Sequence, residues 1–253
     1  MAQQDGTADH ANAPDRETGI SGFRWNDFDA VLFDLDGVIT PTAEIHEHAW
    51  GELFADFDYT EADYLAYIDG KPRYDGVRSF LASRGITLPD GDPTDPPGTG
   101  TVAALGNRKN TLFNDILVRD GIAPYPGSAA TLDLLERLGV DSAIVSSSRN
   151  AVPVLRAAGL HDRFEVVVDG IVAGDAGLAG KPAPDGYLLG ARLLGVEPNR
   201  TVVVEDAVSG VAAGAAGGFA VTIGVDRGAG HQTLLDHGAT FVVDDLDQLL
   251  PST

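Results

Sequence analysis

The chain has 253 residues, 43% of them hydrophobic, which suits one large α/β domain or a core domain carrying a small insertion, and argues against a wholly disordered chain. It contains no cysteine, so disulfides, thiolate metal ligands and a cysteine nucleophile are excluded. A net charge of −21, with Lys71, Lys109 and Lys181 as its three lysines, argues against nonspecific binding to nucleic acid or to an anionic membrane.

Residues 1–27 are polar, acidic and aperiodic, and read as a flexible tail with no signal peptide. The longest apolar stretch, Val211 to Val225, is too short to span a bilayer, so a soluble, cytoplasmic protein is expected. Ala30 to Phe33 predicts a strand buried on both faces of a parallel sheet. From Ala43 the period becomes helical, with Trp50, Leu53, Phe54 and Phe57 at three- and four-residue steps. Further helices are predicted over Thr60–Ile68, with Thr60 as N-cap, over Tyr74–Ser83 and over Val102–Asp120. Leu88 to Thr101 is a Pro/Gly/Asp loop. No strand signal interrupts 43–121, which reads as a separate helical cap.

Beyond Pro126-Gly127, apolar runs at Asp141–Val145, Phe164–Val168, Thr201–Val204, Phe219–Ile223 and Thr240–Val243 alternate with helical segments. That alternation predicts right-handed crossovers and a doubly wound, Rossmann-like parallel sheet built from 28–42 and 122–253.

Ligands of such sheets bind at the carboxyl ends of the strands, and four polar groups fall there. Asp34 and Asp36 end the first apolar run, where a carboxylate is costly without a cation or hydrogen bonds. Ser146-Ser147-Ser148-Arg149-Asn150 ends the second and offers hydroxyls and N–H groups to an anion, although a serine there is often only a helix cap. Lys181 stands between Gly180 and Pro182, just before a helix. Glu205 and Asp206 end another strand, and this all-oxygen inventory favours a hard cation such as Mg2+ over a solvated capping pair.

In this order the four groups resemble the motifs of the haloacid-dehalogenase superfamily of phosphotransferases, over residues 29 to about 250. The resemblance implies that Asp34 is the nucleophile forming an aspartyl-phosphate and that Asp36 is the general acid and base. It implies Mg2+ on Asp34, the Asp36 carbonyl and Asp206, with Glu205 bound directly or through water, and Ser146 and Lys181 on the phosphoryl oxygens.

Residues 31–50, VLFDLDGVITPTAEIHEHAW, are similar to the opening of the β-phosphoglucomutase-like subfamily. That likeness carries substrate contact or cap closure onto His46, Trp50, Gly70, Arg73, Lys109, Ser147, Ser148, Arg149 and Asn150, with Arg73 gripping a second phosphate. Asp69, Pro41 and Ala207 depart from the subfamily's usual residues and bear on the substrate rather than on the chemistry. The resemblance implies a small phosphorylated sugar, a monomer and conversion of β-D-glucose 1-phosphate to glucose 6-phosphate, with glucose 1,6-bisphosphate as activator. The alternative is a sugar-phosphate phosphatase that passes the phosphoryl group to water. A non-enzymatic relative fits poorly, because Asp34, Asp36, Ser146, Lys181 and Asp206 are all present.

Overall fold

A computed structural model describes residues 22–68, 71 and 73–251. Its centre is a sheet of six parallel strands, β1 (Ala30–Phe33), β2 (Asp141–Val145), β3 (Val166–Val168), β4 (Thr201–Glu205), β5 (Val221–Val225) and β6 (Phe241–Val243), in the order β3-β2-β1-β4-β5-β6. Connections leave β1 in both directions, so the carboxyl ends of β1, β2 and β4 meet at the topological switch point. Register is tight there: Phe33 pairs with Ile144 on one side and Val204 on the other. Valine, isoleucine, leucine and phenylalanine fill these strands because both faces are covered.

Among the described residues, ten helices surround the sheet or form the cap. They are α1 (Thr42–Leu53), α2 (Glu61–Asp63), α3 (Arg73–Ser83), α4 (Val102–Asp120), α5 (Pro126–Leu138), α6 (Ala151–Ala157), α7 (Gly170–Asp175), α8 (Asp185–Leu194), α9 (Val208–Ala216) and α10 (His231–Asp236). Thr60 caps α2 through a reciprocal box with Asp63, as the sequence predicts. The helix then widens into a π-turn over Tyr64–Ile68 instead of continuing as α-helix. β5 begins two residues later than predicted, because Phe219 turns out of the strand to pack edge-on against Tyr187, with ring centroids 6.1 Å apart.

Trp50, Leu53, Phe54, Val77, Phe80 and Leu105 form an apolar cluster of the cap's own. The base of the cap is not separate, however. Ile45 and Ala49 of α1 and Phe113, Ile116 and Leu117 of α4 join the main core under the sheet. Each of these two helices is long enough to serve two cores. The tail also differs from expectation at its end. Residues 1–21 lie outside the described residues, but Trp25 is buried, donates its indole N–H to the Leu249 carbonyl at 3.3 Å, and meets Phe23 edge-on. Aromatic burial outweighs the polar setting of this segment. No described helix is long and apolar enough to cross a membrane.

Candidate active site

Asp34 follows the last residue of β1, and its N–H continues the ladder to the Val204 carbonyl at 2.9 Å. Its carboxylate is buried and accepts from the Lys181 ammonium. Lys181 also donates to Glu205 Oε1 at 2.5 Å and to the Val145 carbonyl at 3.1 Å. One side chain thus ties together the ends of β1, β2 and β4. Burial opposes the charge on Lys181, but Asp34 and Glu205 outweigh it and hold the ammonium above its ordinary range.

Asp36 stands two residues on and is held differently. Oδ1 accepts from the Thr42 hydroxyl at the start of α1, and Oδ2 from Ser146 Oγ at 3.4 Å. Ser146 Oγ in turn accepts from the Ser148 N–H at 3.0 Å, so the turn after β2 is wound around this hydroxyl. Gly37 closes the motif with φ +84°, and a Cβ there would overlap the Asp206 carboxylate. The loop after β1 and the end of β4 therefore touch because residue 37 has no side chain.

Four carboxylates, Asp34, Asp36, Glu205 and Asp206, surround a single ammonium. Burial pushes Asp34 well above the usual carboxylate range against the pull of Lys181, and burial likewise raises Asp36. Asp206 is pushed up to about 7, by burial first and by Glu205 second. Burial is the first cause of all three shifts, and the neighbouring carboxylates add to it.

The donor set is all oxygen, as a hard divalent cation requires. Among the described residues, however, no three His, Cys, Asp or Glu side chains are grouped so as to hold a metal. Glu205 explains this. Oε1 accepts from Lys181 and from Tyr187 Oη (2.9 Å), and Oε2 from the N–H groups of Asp206 and Ala207 (3.1 Å each). Both oxygens of Glu205 are thus engaged by protein donors, where the expectation left its contact with a metal direct or through water. Asp34 and Asp206 with main-chain carbonyl oxygen remain, a sparse set that fits Mg2+ retaining several waters.

The cap contributes a second group. Lys109, on α4, is 4% exposed and lies 2.5 Å from His46 Nδ1 of α1. The His46 ring stacks on Phe113 at 4.4 Å, and the ammonium sits over Phe113 and Trp50. Burial, then Arg73, lowers Lys109 to about 7, and burial, then Lys109, lowers His46 to about 3, so the imidazole is neutral. Trp50 itself is packed in the cap core and stacked on Phe54, which places it behind Lys109 instead of on an open binding surface. Its bulk is the reason: an indole in an aromatic cluster is worth more buried.

Arg73 and Arg149 lie near enough to repel each other, and burial lowers Arg73. Asn150 Nδ2 donates to Asn110 Oδ1 at 2.9 Å, a direct bond between core and cap. Ser148 Oγ accepts from the Asn150 N–H at 3.1 Å, and Ser147 is exposed. Gly70 lies outside the described residues. Thr42, Asn110 and Tyr187 escaped the sequence reading. Thr42 had a faint signal, lying six residues after Asp36, whereas nothing in sequence joins Tyr187 to Glu205.

The chain is 48% identical over 239 residues to a β-phosphoglucomutase of Mycobacterium bovis, covering 87% of this chain and 91% of that protein. It is 34% identical over 191 residues to hexitol phosphatase A of Escherichia coli, covering 74% and 78%. The crystal structure of a putative β-phosphoglucomutase from Thermotoga maritima matches with a TM-score of 0.71 at 26% identity, over 87% of this chain and 96% of that one. The family model of haloacid dehalogenase-like hydrolases matches residues 28–218. The chain belongs to this haloacid dehalogenase-like hydrolase family, in its β-phosphoglucomutase-like branch, and is an enzyme of the phosphotransferase and hydrolase kind.

Proposed function

We propose that the chain is a Mg2+-dependent β-phosphoglucomutase that converts β-D-glucose 1-phosphate to glucose 6-phosphate through an aspartyl-phosphate on Asp34. The observation that carries the reading is the contrast between two carboxylates two residues apart: Asp34 accepts from an ammonium, and Asp36 accepts from two hydroxyls. Burial raises both groups; the ammonium opposes that rise at Asp34 and aligns its carboxylate for attack. The two hydroxyls fix the Asp36 carboxyl, which burial raises, where it can give and take a proton.

Asp34 Oδ attacks phosphorus, and the leaving sugar oxygen takes the proton of Asp36. In the second half-reaction Asp36 removes a proton from the acceptor hydroxyl, which takes the phosphoryl group from Asp34. Lys181 and Ser146 hold the phosphoryl oxygens. Asp34, Asp206 and the Asp36 carbonyl would hold Mg2+, whose charge would offset the repulsion between carboxylate and phosphate. Arg73 and Arg149 suit the second phosphate of glucose 1,6-bisphosphate, the proposed activator. The cap bond from Asn110 to Asn150 supports exclusion of water while the acceptor sugar turns.

The likeness to a hexitol phosphatase favours a second reading, in which water is the acceptor. Phosphorus NMR of the protein with Mg2+, β-D-glucose 1-phosphate and a trace of glucose 1,6-bisphosphate separates the two. Glucose 6-phosphate with little free phosphate, lost in Asp34→Asn, supports the mutase. Free phosphate as the main product overturns it in favour of the phosphatase.

A further inference from the structure

Tyr187 is a buried phenol that the proposed mechanism leaves unused. It lies on α8, six residues after Lys181 in the chain and 1% exposed. Its ring is fixed by Phe219, and its hydroxyl donates to Glu205 Oε1 at 2.9 Å, the oxygen that also accepts from Lys181. Glu205 Oε2 is held by two main-chain N–H groups, and a Cβ on Gly210 would overlap this carboxylate. Each oxygen therefore has two donors, and the carboxylate has no room to turn.

A lysine ammonium is a point charge on a flexible four-carbon stem, so its acceptors must fix its position. Lys181 has three: Asp34, Glu205 and the Val145 carbonyl. The Asp34 contact is the one that changes once that carboxylate carries a phosphoryl group. Glu205 and Val145 are the two anchors that persist. Without the phenol hydroxyl, Glu205 Oε1 keeps only the lysine as donor, and the direction in which it holds the ammonium is set less tightly.

We infer that Tyr187 is a positioning residue: its hydroxyl fixes Glu205, Glu205 fixes Lys181, and Lys181 thereby meets the transferring phosphoryl group in one geometry. This rests on the proposed role of Lys181 at the phosphoryl oxygens.

Tyr187→Phe removes one oxygen and keeps the ring on Phe219. The test compares the wild type, Y187F, E205Q and the double variant in kcat and KM for β-D-glucose 1-phosphate, in melting temperature and, without turnover, in the affinity for orthovanadate as a phosphoryl mimic. A lost hydrogen bond to a charged group predicts a kcat about tenfold lower in Y187F at nearly unchanged KM, with vanadate weakened by a similar factor. In the E205Q background the same substitution changes either quantity by less than about twofold, because coupled residues are not additive. Wild-type kcat and vanadate affinity in Y187F overturn the assignment, as does an equal loss in both backgrounds or a loss seen only where Y187F begins to melt. A wild type that binds vanadate but leaves the sugar phosphate untouched strikes the proposed substrate, and the cycle is then decided by vanadate. A wild type that binds neither overturns both readings.

Discussion

Gly37 is where the loop of the two aspartates meets Asp206, with φ +84° and no space for a Cβ. An alanine there takes on left-handed strain of ~1–2 kcal/mol, which predicts a melting temperature lower by about 2–8 °C. It must also push Asp206 aside, so Gly37→Ala should raise the Mg2+ concentration for half-maximal rate about 10–100-fold. A Mg2+ titration beside a melt checks this, and unchanged Mg2+ dependence would remove Asp206 from the cation site. Lys109 makes a pH prediction. Burial and Arg73 lower it to about 7. Between about pH 7 and 10.4 the unfolded chain holds this proton and the folded chain has released it, so the unfolded state binds more protons and stability from this group rises with pH. Lys109→Met lacks the effect, so its melting temperature should lose ground to the wild type from pH 7 to 10. Parallel curves would show that Lys109 keeps its charge. Asp34, Asp36, Ser146 and Asp206 were legible because each ends an apolar strand, where a polar side chain needs a reason. Glu205 was legible as a residue but its partners were not, since the donors that hold it come from α8 and from main-chain N–H groups that sequence does not display.

α4 shows what a single element can couple. Thr101 caps it through the Ala104 N–H at 3.0 Å, and its 19 residues reach from the cap's aromatic cluster to the main core. Lys109 and Asn110 sit midway, facing α1 and the start of α6. Asn110→Ala deletes the bond to Asn150 without touching the strand-end carboxylates. The share of free phosphate among the products should therefore rise severalfold, since a looser cap would admit water to the aspartyl-phosphate proposed at Asp34. Phosphorus NMR measures that share, and an unchanged partition would mean that the cap closes through other contacts. Helical periodicity found α4 and α3 nearly to the residue, because their apolar faces are regular and their ends carry caps or turn residues. Where tertiary packing overrides local pattern, sequence was a weaker guide: the π-turn over Tyr64–Ile68, the late start of β5 behind Phe219, and Phe23 and Trp25 folded back onto the core. The double allegiance of α1 and α4 was hidden for a similar reason, since one periodic stripe serves two cores.

At the scale of the whole molecule, 38 acidic residues face 17 Lys and Arg. Part of that excess is paired at the surface, as in Arg163 with Asp133 and Glu136, Arg78 with Asp75 and Asp90, and Arg200 with Asp29. Such exposed pairs are worth about 0–1 kcal/mol each, and added salt weakens them. The unpaired remainder repels itself, and folding brings those charges closer than they stand in the unfolded chain. The two effects of salt oppose each other, so their sizes decide. With a net charge of −21, the repulsion summed over many pairs exceeds a few weak attractions. Screening shortens from about 30 Å at 0.01 M salt to about 3 Å at 1 M, which removes most of it. Raising NaCl over that range should therefore raise the melting temperature by several degrees, whereas sucrose, which acts by exclusion and not by screening, should show no such dependence on charge when acidic side chains are replaced. A surface variant with four exposed acids changed to glutamine, Asp56, Glu61, Asp162 and Asp236, all outside the site, should flatten the salt curve and leave the sucrose curve in place. If the two curves respond alike to these substitutions, the acidity is a solvated coat whose charges stand too far apart to strain the fold.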